Sequence, residues 1–370
     1  MLCSPSTKEG VAMTDVYQRL AKKLDEMPNG LPSTENGLEL KILRKIFAPE
    51  EAEVALRMKP LGETVEVIAE RLGKPVKEMQ STLEDMVKKG QLFSFKMFGE
   101  QMYFLPPFVP GILEFQLNRL DRELAEMMEQ YRPTLLKSIG SIEPPIFRVL
   151  PIQARIDAKV QIHPYENIRL MMEEAQSFNV MDCICRKEHA LRGHPCTHSS
   201  EVCLGFSKQP DMFENYPLGR RISKEEALKI LAIAEEEGLV HNTFNVEQEP
   251  VFICNCCTCC CGIIQAVKAA KIPHLLAKCS FVASIDQETC TQCGVCADER
   301  CPIGAISEED GIYRVLPERC IGCGVCTPTC PTDSITLVQK PESEQIKPPA
   351  HMVEWNLARA ASRGIELKFE

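Results

Sequence analysis

The chain has 370 residues, room for two or three domains, and its 44% hydrophobic and 25% charged residues are an ordinary globular balance. A formal charge of -10 argues against nucleic acid or anionic lipid as a general partner, and no apolar run reaches the roughly 18 residues of a membrane span. Twenty cysteines in so long a chain, which opens on Met-Leu-Cys-Ser-Pro-Ser without an apolar signal segment, point to a reducing cytoplasm rather than a secreted disulfide scaffold.

Residues 1–37 are read as a helical extension. Over 38–110, apolar residues at three- and four-residue spacing predict helices at Leu38–Phe47, Glu50–Met58, Thr64–Leu72 and Val76–Lys89. Gly73 to Pro75 separates the third from the fourth, and Gly90 ends the fourth. Leu92 to Met97 and Met102 to Phe104 then flank Phe98-Gly99-Glu100-Gln101 as a hairpin. This segment resembles a winged helix-turn-helix domain, a resemblance that implies either DNA binding or protein docking. Lys77, Lys88 and Lys89 are offset by Glu78, Glu84 and Asp85, so the would-be recognition helix lacks the cationic excess that phosphate contact requires, and protein docking or a purely structural role is expected.

Residues 111–145 are predicted as a connecting helix, Gly111–Tyr131, stopped by Pro133, and a linker at Pro144-Pro145. Residues 146–280 form a mixed α/β module with a strand at Phe147–Ile152, a helix at Pro164–Ser177 and a second helix from Ser223 to Gly238, where Ser223 and Glu226 form a capping pair. Beyond Lys340, residues 341–370 read as an extended linker and a tail helix over Met352–Ser362 that docks on another surface. The expected fold class is therefore α+β and multidomain, with a winged-helix-like domain, a cysteine-rich module, and a C-terminal ferredoxin-like unit over 281–340.

That last unit carries the most specific signal. Nineteen of the twenty cysteines lie between Cys183 and Cys330, and eight spell two runs: Cys290, Cys293, Cys296, Cys301-Pro302, then Cys320, Cys323, Cys326, Cys330-Pro331. The runs repeat at a 30-residue offset. Three thiolates spaced two residues apart can surround one cubane, and a fourth before proline can reach the other. Zinc ribbons use two pairs instead, so cubanes fit this pattern better. The block is similar to bacterial-type ferredoxins with two 4Fe-4S clusters. The resemblance implies one cluster on Cys290, Cys293, Cys296 and Cys330, and another on Cys320, Cys323, Cys326 and Cys301. The first run departs from the family spacing, with four residues (Ala297 to Arg300) before Cys301 in place of three.

Upstream stand Cys183, Cys185, Cys196 and Cys203, the dense run Cys254-Asn-Cys256-Cys257-Thr-Cys259-Cys260-Cys261, and Cys279. Cys254, Cys257 and Cys260 repeat the cubane-loop spacing, and Cys256 with Cys259 offers an alternative register. Cys183, Cys185, Cys196 and Cys203 supply either a fourth ligand or a separate site, so one or two further iron-sulfur clusters are expected. Gly262 opens a helix, placing Cys259 to Cys261 near a dipole that favours thiolate. His189, His194 and His198 are read as solvated or locally hydrogen-bonded in preference to metal ligands, and Arg186, Lys187 and Arg192 as solvated. The strings Asp182-Cys-Ile-Cys-Arg186, Glu225-Glu-Ala-Leu, Glu237-Gly-Leu-Val-His241 and Ile253-Cys-Asn-Cys-Cys257 resemble a cysteine-rich module fused ahead of ferredoxin domains in anaerobic microorganisms, a family for which no activity is implied.

No Walker or dinucleotide glycine motif occurs, so no flavin or nucleotide site is expected and no catalytic residue is assigned. Three functions follow: an electron-transfer subunit of an anaerobic oxidoreductase complex working through redox partner proteins; an oxidoreductase binding substrate at an under-ligated cluster; and a redox-sensing DNA-binding regulator. The first is favoured.

Overall fold

The computed structural model describes residues 15–367 other than 60, 98, 215 and 270–274; Cys3, the opening residues and the hairpin tip at Phe98 lie outside them. Helix α1 (Val16–Asp25) starts where the Asp15 carboxylate accepts from the Tyr17 amide. Helices α2 (Leu38–Ile46), α3 (Pro49–Arg57), α4 (Val65–Leu72) and α5 (Val76–Lys88) follow, then a hairpin of β1 (Phe93–Met97) and β2 (Glu100–Phe104). Each lies within two residues of its predicted bounds, because apolar periodicity and glycine stops are local signals. Gly73 takes φ +62° after α4, a conformation glycine adopts without a steric penalty. Leu20, Leu24, Leu43, Ile46 and Leu83 bury the inner faces of these helices.

The connecting segment departs from expectation. Residues 108–116 form irregular turns, and the helix, α6 (Arg122–Ile139), starts at an Asp121 cap and carries Pro133 inside it. An internal proline forfeits one backbone bond and costs about 3 kcal/mol. Burial of Leu124, Met128 and Tyr131 before the proline and Leu135 and Ile139 after it offsets that loss, so tertiary packing carries the helix through its breaker.

The cysteine-rich module is built on one sheet. Its elements are β3 (Phe147–Leu150), α7 (Ile168–Glu174), β4 (Ser177–Asp182), α8 (Ile184–Leu191), β5 (Glu201–Ser207), β6 (Arg220–Ile222), α9 (Lys224–Glu236), β7 (Val240–Phe244), β8 (Phe252–Cys256), α10 (Gly262–Lys268) and β9 (Leu276–Ala277). The strand order is β6-β4-β5-β8-β7-β3-β9, antiparallel except for β3 beside β9. The helix predicted over Pro164–Ser177 is shorter: a turn at Pro164–Glu166, then α7 capped by Asn167, with Ser177 already in β4. The Gln176 amide pairs with the Ser207 carbonyl, so sheet hydrogen bonding ends the helix early. Helix α9 matches its prediction, with Ser223 accepting from the Glu226 amide and Gly238 at φ +75° behind it.

In the C-terminal unit, β10 (Phe281–Ile285) pairs antiparallel with β13 (Ile335–Gln339), while β11 (Ile306–Glu309) and β12 (Ile312–Val315) form a hairpin between the two cysteine runs. Pairing the first strand with the last brings Cys330 back to the loop of Cys290. Buried polar groups weld this unit to the module. Arg148, fully buried, donates to the equally buried Glu166 at 2.7 Å, to Asn245 and to the carbonyls of Lys278 and Ile346. Glu166 accepts from the Ser280 amide, one residue before β10. Helix α11 (Met352–Ser362) then folds back: Trp355 donates to the Pro145 carbonyl, and buried Arg359 reaches Asn29 and the carbonyls of Ile142 and Pro144. The expected linkers are thus packed strands of chain that tie N-terminal helices, module and C-terminal unit together.

Candidate metal centres

Two small cavities in the C-terminal unit are each lined by four thiols. Cys290, Cys293, Cys296 and Cys330 surround one, and Cys301, Cys320, Cys323 and Cys326 the other. Each quartet draws three cysteines from one loop and the fourth from the other run. The extra residue before Cys301 is absorbed by one wide turn, in which the Cys301 amide donates to the Cys296 carbonyl at 3.0 Å. Equivalent loop positions share a left-handed backbone: Gln292 (φ +57°) matches Gly322 (+74°), and Gly294 (+78°) matches Gly324 (+73°). At Gly322 a Cβ would lie 2.3 Å from the Phe281 carbonyl oxygen and 2.4 Å from the Cys279 sulfur, so only glycine fits there. Cys279 itself donates to the Gly322 carbonyl at 3.1 Å, supporting the loop of the second quartet from behind without lining its cavity.

The sulfurs meet backbone donors. The Ala305 amide donates to the Cys301 sulfur at 3.1 Å, and amides of Thr332, Ile335 and Ser334 lower the Cys330 thiol against the opposing effect of its burial. Burial pushes Cys323 well up, and burial with the neighbouring Cys293 and Cys290 raises Cys296 to about 11. Such thiols give up their protons to a metal rather than to water. These sulfur-only donor sets, the second largely buried and the first more open with Cys293 exposed, fit 4Fe-4S clusters. Cys296 and Cys326 also interact electrostatically across the two quartets, so the sites are near neighbours.

The upstream thiols sort differently from their spacing. Strand β8 sends Cys254 and Cys256 to one face, because residues two apart on a strand point the same way, while Asn255 points oppositely to His241 and the Val202 carbonyl. Cys254 and Cys256 line a cavity of about 100 Å³ with Cys183, Cys185, Cys203 and Cys261. Sulfur-to-sulfur interactions run through Cys203, Cys254, Cys256, Cys261, Cys185 and Cys183 in that order. The neighbouring Cys254 and Cys261 lower Cys256 to about 5, whereas the neighbouring Cys203 helps raise Cys254 well above the usual thiol range. Cys183 and Cys261 each cap a helix, α8 and α10, whose N-termini face this cavity.

Cys257 borders the same cavity but groups with Cys196, Cys259, Cys260 and His198. The strand's end at Cys256 divides the spacing triplet of Cys254, Cys257 and Cys260: Cys254 and Cys257 line the cavity, and the turn after the strand also carries Cys257, with Cys260, to the second group. Cys261, which the spacing argument passed over, joins the cavity through its place at the head of α10. Of the three histidines, only His198 lies against sulfur, 3.3 Å from Cys196; His189 and His194 do not. Its signal in the sequence was the Cys196-Thr-His198 spacing, mirrored by Cys257-Thr-Cys259.

The basic residues also need correction. Arg186 is buried, donates to the carbonyls of Ser199 and Asn255, and interacts with Cys183, Cys257 and Cys196, placing its charge between the two thiol groups. Lys187 donates to the Leu117 carbonyl and Arg192 pairs with Glu129. Arg132, paired with buried Glu188, adds a second positive charge beside Cys185. The Arg132 and Arg192 pairs come from α8 packing on α6, and none of these contacts had a signature in the local sequence.

A family model described as a 4Fe-4S binding domain matches residues 313–336, which include Cys320, Cys323, Cys326 and Cys330. The C-terminal unit therefore makes this an iron-sulfur protein of the 4Fe-4S type. The chain is 37% identical over 62 residues to pyruvate synthase subunit PorD of Methanocaldococcus jannaschii, covering 16% of this chain and 71% of that one. It is 38% identical over 64 residues to electron transport protein HydN of Escherichia coli, covering 16% and 37%, and 36% identical over 70 residues to a ferredoxin of Rickettsia felis, covering 18% and 54%. Through this unit the chain belongs to the 4Fe-4S ferredoxin-type family, and these relatives support iron-sulfur electron transfer. It spans little more than a third of the length of HydN. No solved structure matches it. Among the described residues, no helix is long and apolar enough to cross a membrane.

Proposed function

We propose that the chain is a one-electron relay serving a larger oxidoreductase assembly in a reducing compartment. Cys290, Cys293, Cys296 and Cys330 hold one 4Fe-4S cluster, and Cys301, Cys320, Cys323 and Cys326 hold a second. A third iron-sulfur centre occupies the cavity of Cys183, Cys185, Cys203, Cys254, Cys256 and Cys261. The observation that carries this reading is the sorting of eight C-terminal cysteines into two four-thiol cavities whose ligand sets exchange their last member. Arg300, on the turn before Cys301, supports a route between the units: it donates to the Val325 carbonyl in the second cysteine loop and to the carbonyls of Glu235 and Glu236 at the end of α9. That helix end abuts Leu239, Cys257 and Cys260.

The N-terminal helices and hairpin form a winged-helix-like docking domain for the partner. Supporting this, Glu63 bridges Tyr103 beside the hairpin, adding a short third strand to the wing. Between α5, the hairpin and residues 211–218 runs a groove lined by Glu84, Asp211 and Glu214 as well as Lys88 and Lys96, and Lys96 already pairs with Glu214. Those carboxylates repel a phosphate backbone, which weakens the DNA-binding alternative. Six donors around the upstream cavity exceed the four that a cubane needs, which runs against a centre short of protein ligands.

The test is anaerobic purification with iron and sulfide analysis and electron paramagnetic resonance after dithionite reduction. Three clusters correspond to about twelve irons per chain. Interacting signals from the C-terminal pair, together with a separate upstream signal, are the expected outcome. Colourless protein without iron overturns the relay.

A further inference from the structure

The geometry points to a mononuclear zinc site, separate from the iron-sulfur centres, with Cys196, His198, Cys257 and Cys259 as its four ligands. Their ligand atoms all lie within 4.8 Å of one another. Cys196 Sγ is 3.4 Å from Cys259 Sγ and 3.9 Å from Cys257 Sγ, and His198 Nδ1 is 3.3 Å from Cys196 Sγ and 3.8 Å from Cys259 Sγ. Zinc bonds of about 2.3 Å to sulfur and 2.0 Å to nitrogen, at tetrahedral angles, put neighbouring ligand atoms about 3.5–3.8 Å apart. A cubane does the opposite, because its iron-sulfide core stands between the thiolates.

The same molecule supplies the control. Among the described residues, sulfurs within 4 Å of one another with hydrogen-bond geometry occur at Cys196, Cys257, Cys259 and Cys260, and not within either C-terminal quartet, where a cavity separates the four thiols. The first group is contracted to the size of a single ion; the quartets are spread around a space. A donor set of three thiolates and one imidazole in a tetrahedron suits zinc among the common divalent ions. With four protein ligands no position stays open for water or substrate, which is the arrangement of a structural rather than a catalytic zinc. Cys260, 3.7 Å from Cys259 but not within reach of the whole group, lies just outside the shell.

The surroundings hold the ligands in place independently of the ion. The Ser199 amide and hydroxyl donate to Glu237, and Arg186 donates to the Ser199 carbonyl on one side and the Asn255 carbonyl on the other. Arg186 also offsets the net negative charge that three thiolates leave on a bound dication. The ion would clip the loop around Cys196 to the turn after β8, joining positions 61 residues apart. That clip fixes the ends of both segments that feed thiols into the neighbouring six-cysteine cavity.

The experiment uses the full chain, purified without air and without added metal, with zinc and iron counted together and zinc-edge X-ray absorption recorded. Expected are one zinc per chain and a first shell of three sulfurs and one nitrogen. Cys259→Ser and His198→Ala should each drop zinc to background or replace one ligand in its shell, with iron content and resonance signals unchanged. Cys260→Ser should keep the zinc. Zinc absent from protein that carries its full iron overturns the inference and leaves the relay standing, as does Cys259→Ser removing an iron-sulfur signal. A shell of four sulfurs overturns the role of His198. Loss of iron with zinc retained strikes the relay alone.

Discussion

The two cysteine-bearing regions both gather thiols in space, and they do so by different means. In the C-terminal unit three of every four donors come from one short loop, and a duplicated half-domain supplies the fourth from the other loop, so linear spacing and spatial grouping coincide. In the upstream module the thiol cavity is served by several elements rather than by one loop. Cys183 and Cys185 come from the start of α8, Cys203 from β5, Cys254 and Cys256 from β8 and Cys261 from the head of α10. Loop-borne sites can be read along the chain, whereas sheet-borne sites depend on which strands are neighbours.

The sharpest way to break this comparison is to remove one donor from each region. Cys323→Ser should abolish or convert one C-terminal cluster, with a loss of up to about four irons per chain, and leave the upstream resonance intact. Simultaneous loss of every signal would mean that the two regions do not form their centres independently. Within the dense cysteine run, Cys254→Ser should alter the upstream centre, while Cys260→Ser should leave iron content and spectra as they are. Identical damage from both would favour the single-loop reading over the proposed grouping.

A smaller effect tests how the regions are joined. Glu166→Ala strands the Arg148 guanidinium in the interior and frees the Ser280 amide, so denaturant unfolding should show a loss of about 3–5 kcal/mol. If the regions are one cooperative unit, signals from both should disappear at one lowered midpoint; a transition confined to either would divide them. Smaller still is Arg186→Met, which removes a buried positive charge beside the upstream thiols. One charge at such a distance is worth on the order of 1 kcal/mol, so redox titration should show the upstream potential lowered by on the order of 50 mV. The C-terminal potentials should move less, because the thiols that act most strongly on Arg186 are the upstream Cys183, Cys257 and Cys196.

How far the sequence could be read follows the same division. The N-terminal helices, the hairpin, α9 and α11 were legible because periodicity, caps and glycine stops act within a few residues of one another. The helix through Pro133 was not, since only burial of Tyr131 and Leu135 on either side of the proline keeps it helical. Nor was the position of Arg186, which looks like a surface cation in sequence and is buried against the loop of Ser199 and the strand of Asn255.

From its residues alone, this chain declared its iron-sulfur character and the two C-terminal cysteine triplets, because spacing within a tight loop sets where side chains can converge; the exchanged fourth thiol was implied by the ferredoxin resemblance. Tertiary structure alone decided that six upstream thiols share one cavity, that His198 stands among sulfurs, and that the apparent linkers are clamps. Those contacts join residues tens to hundreds of positions apart, and the alternation of side chains along a strand, with its choice of neighbours, determines which face each one joins.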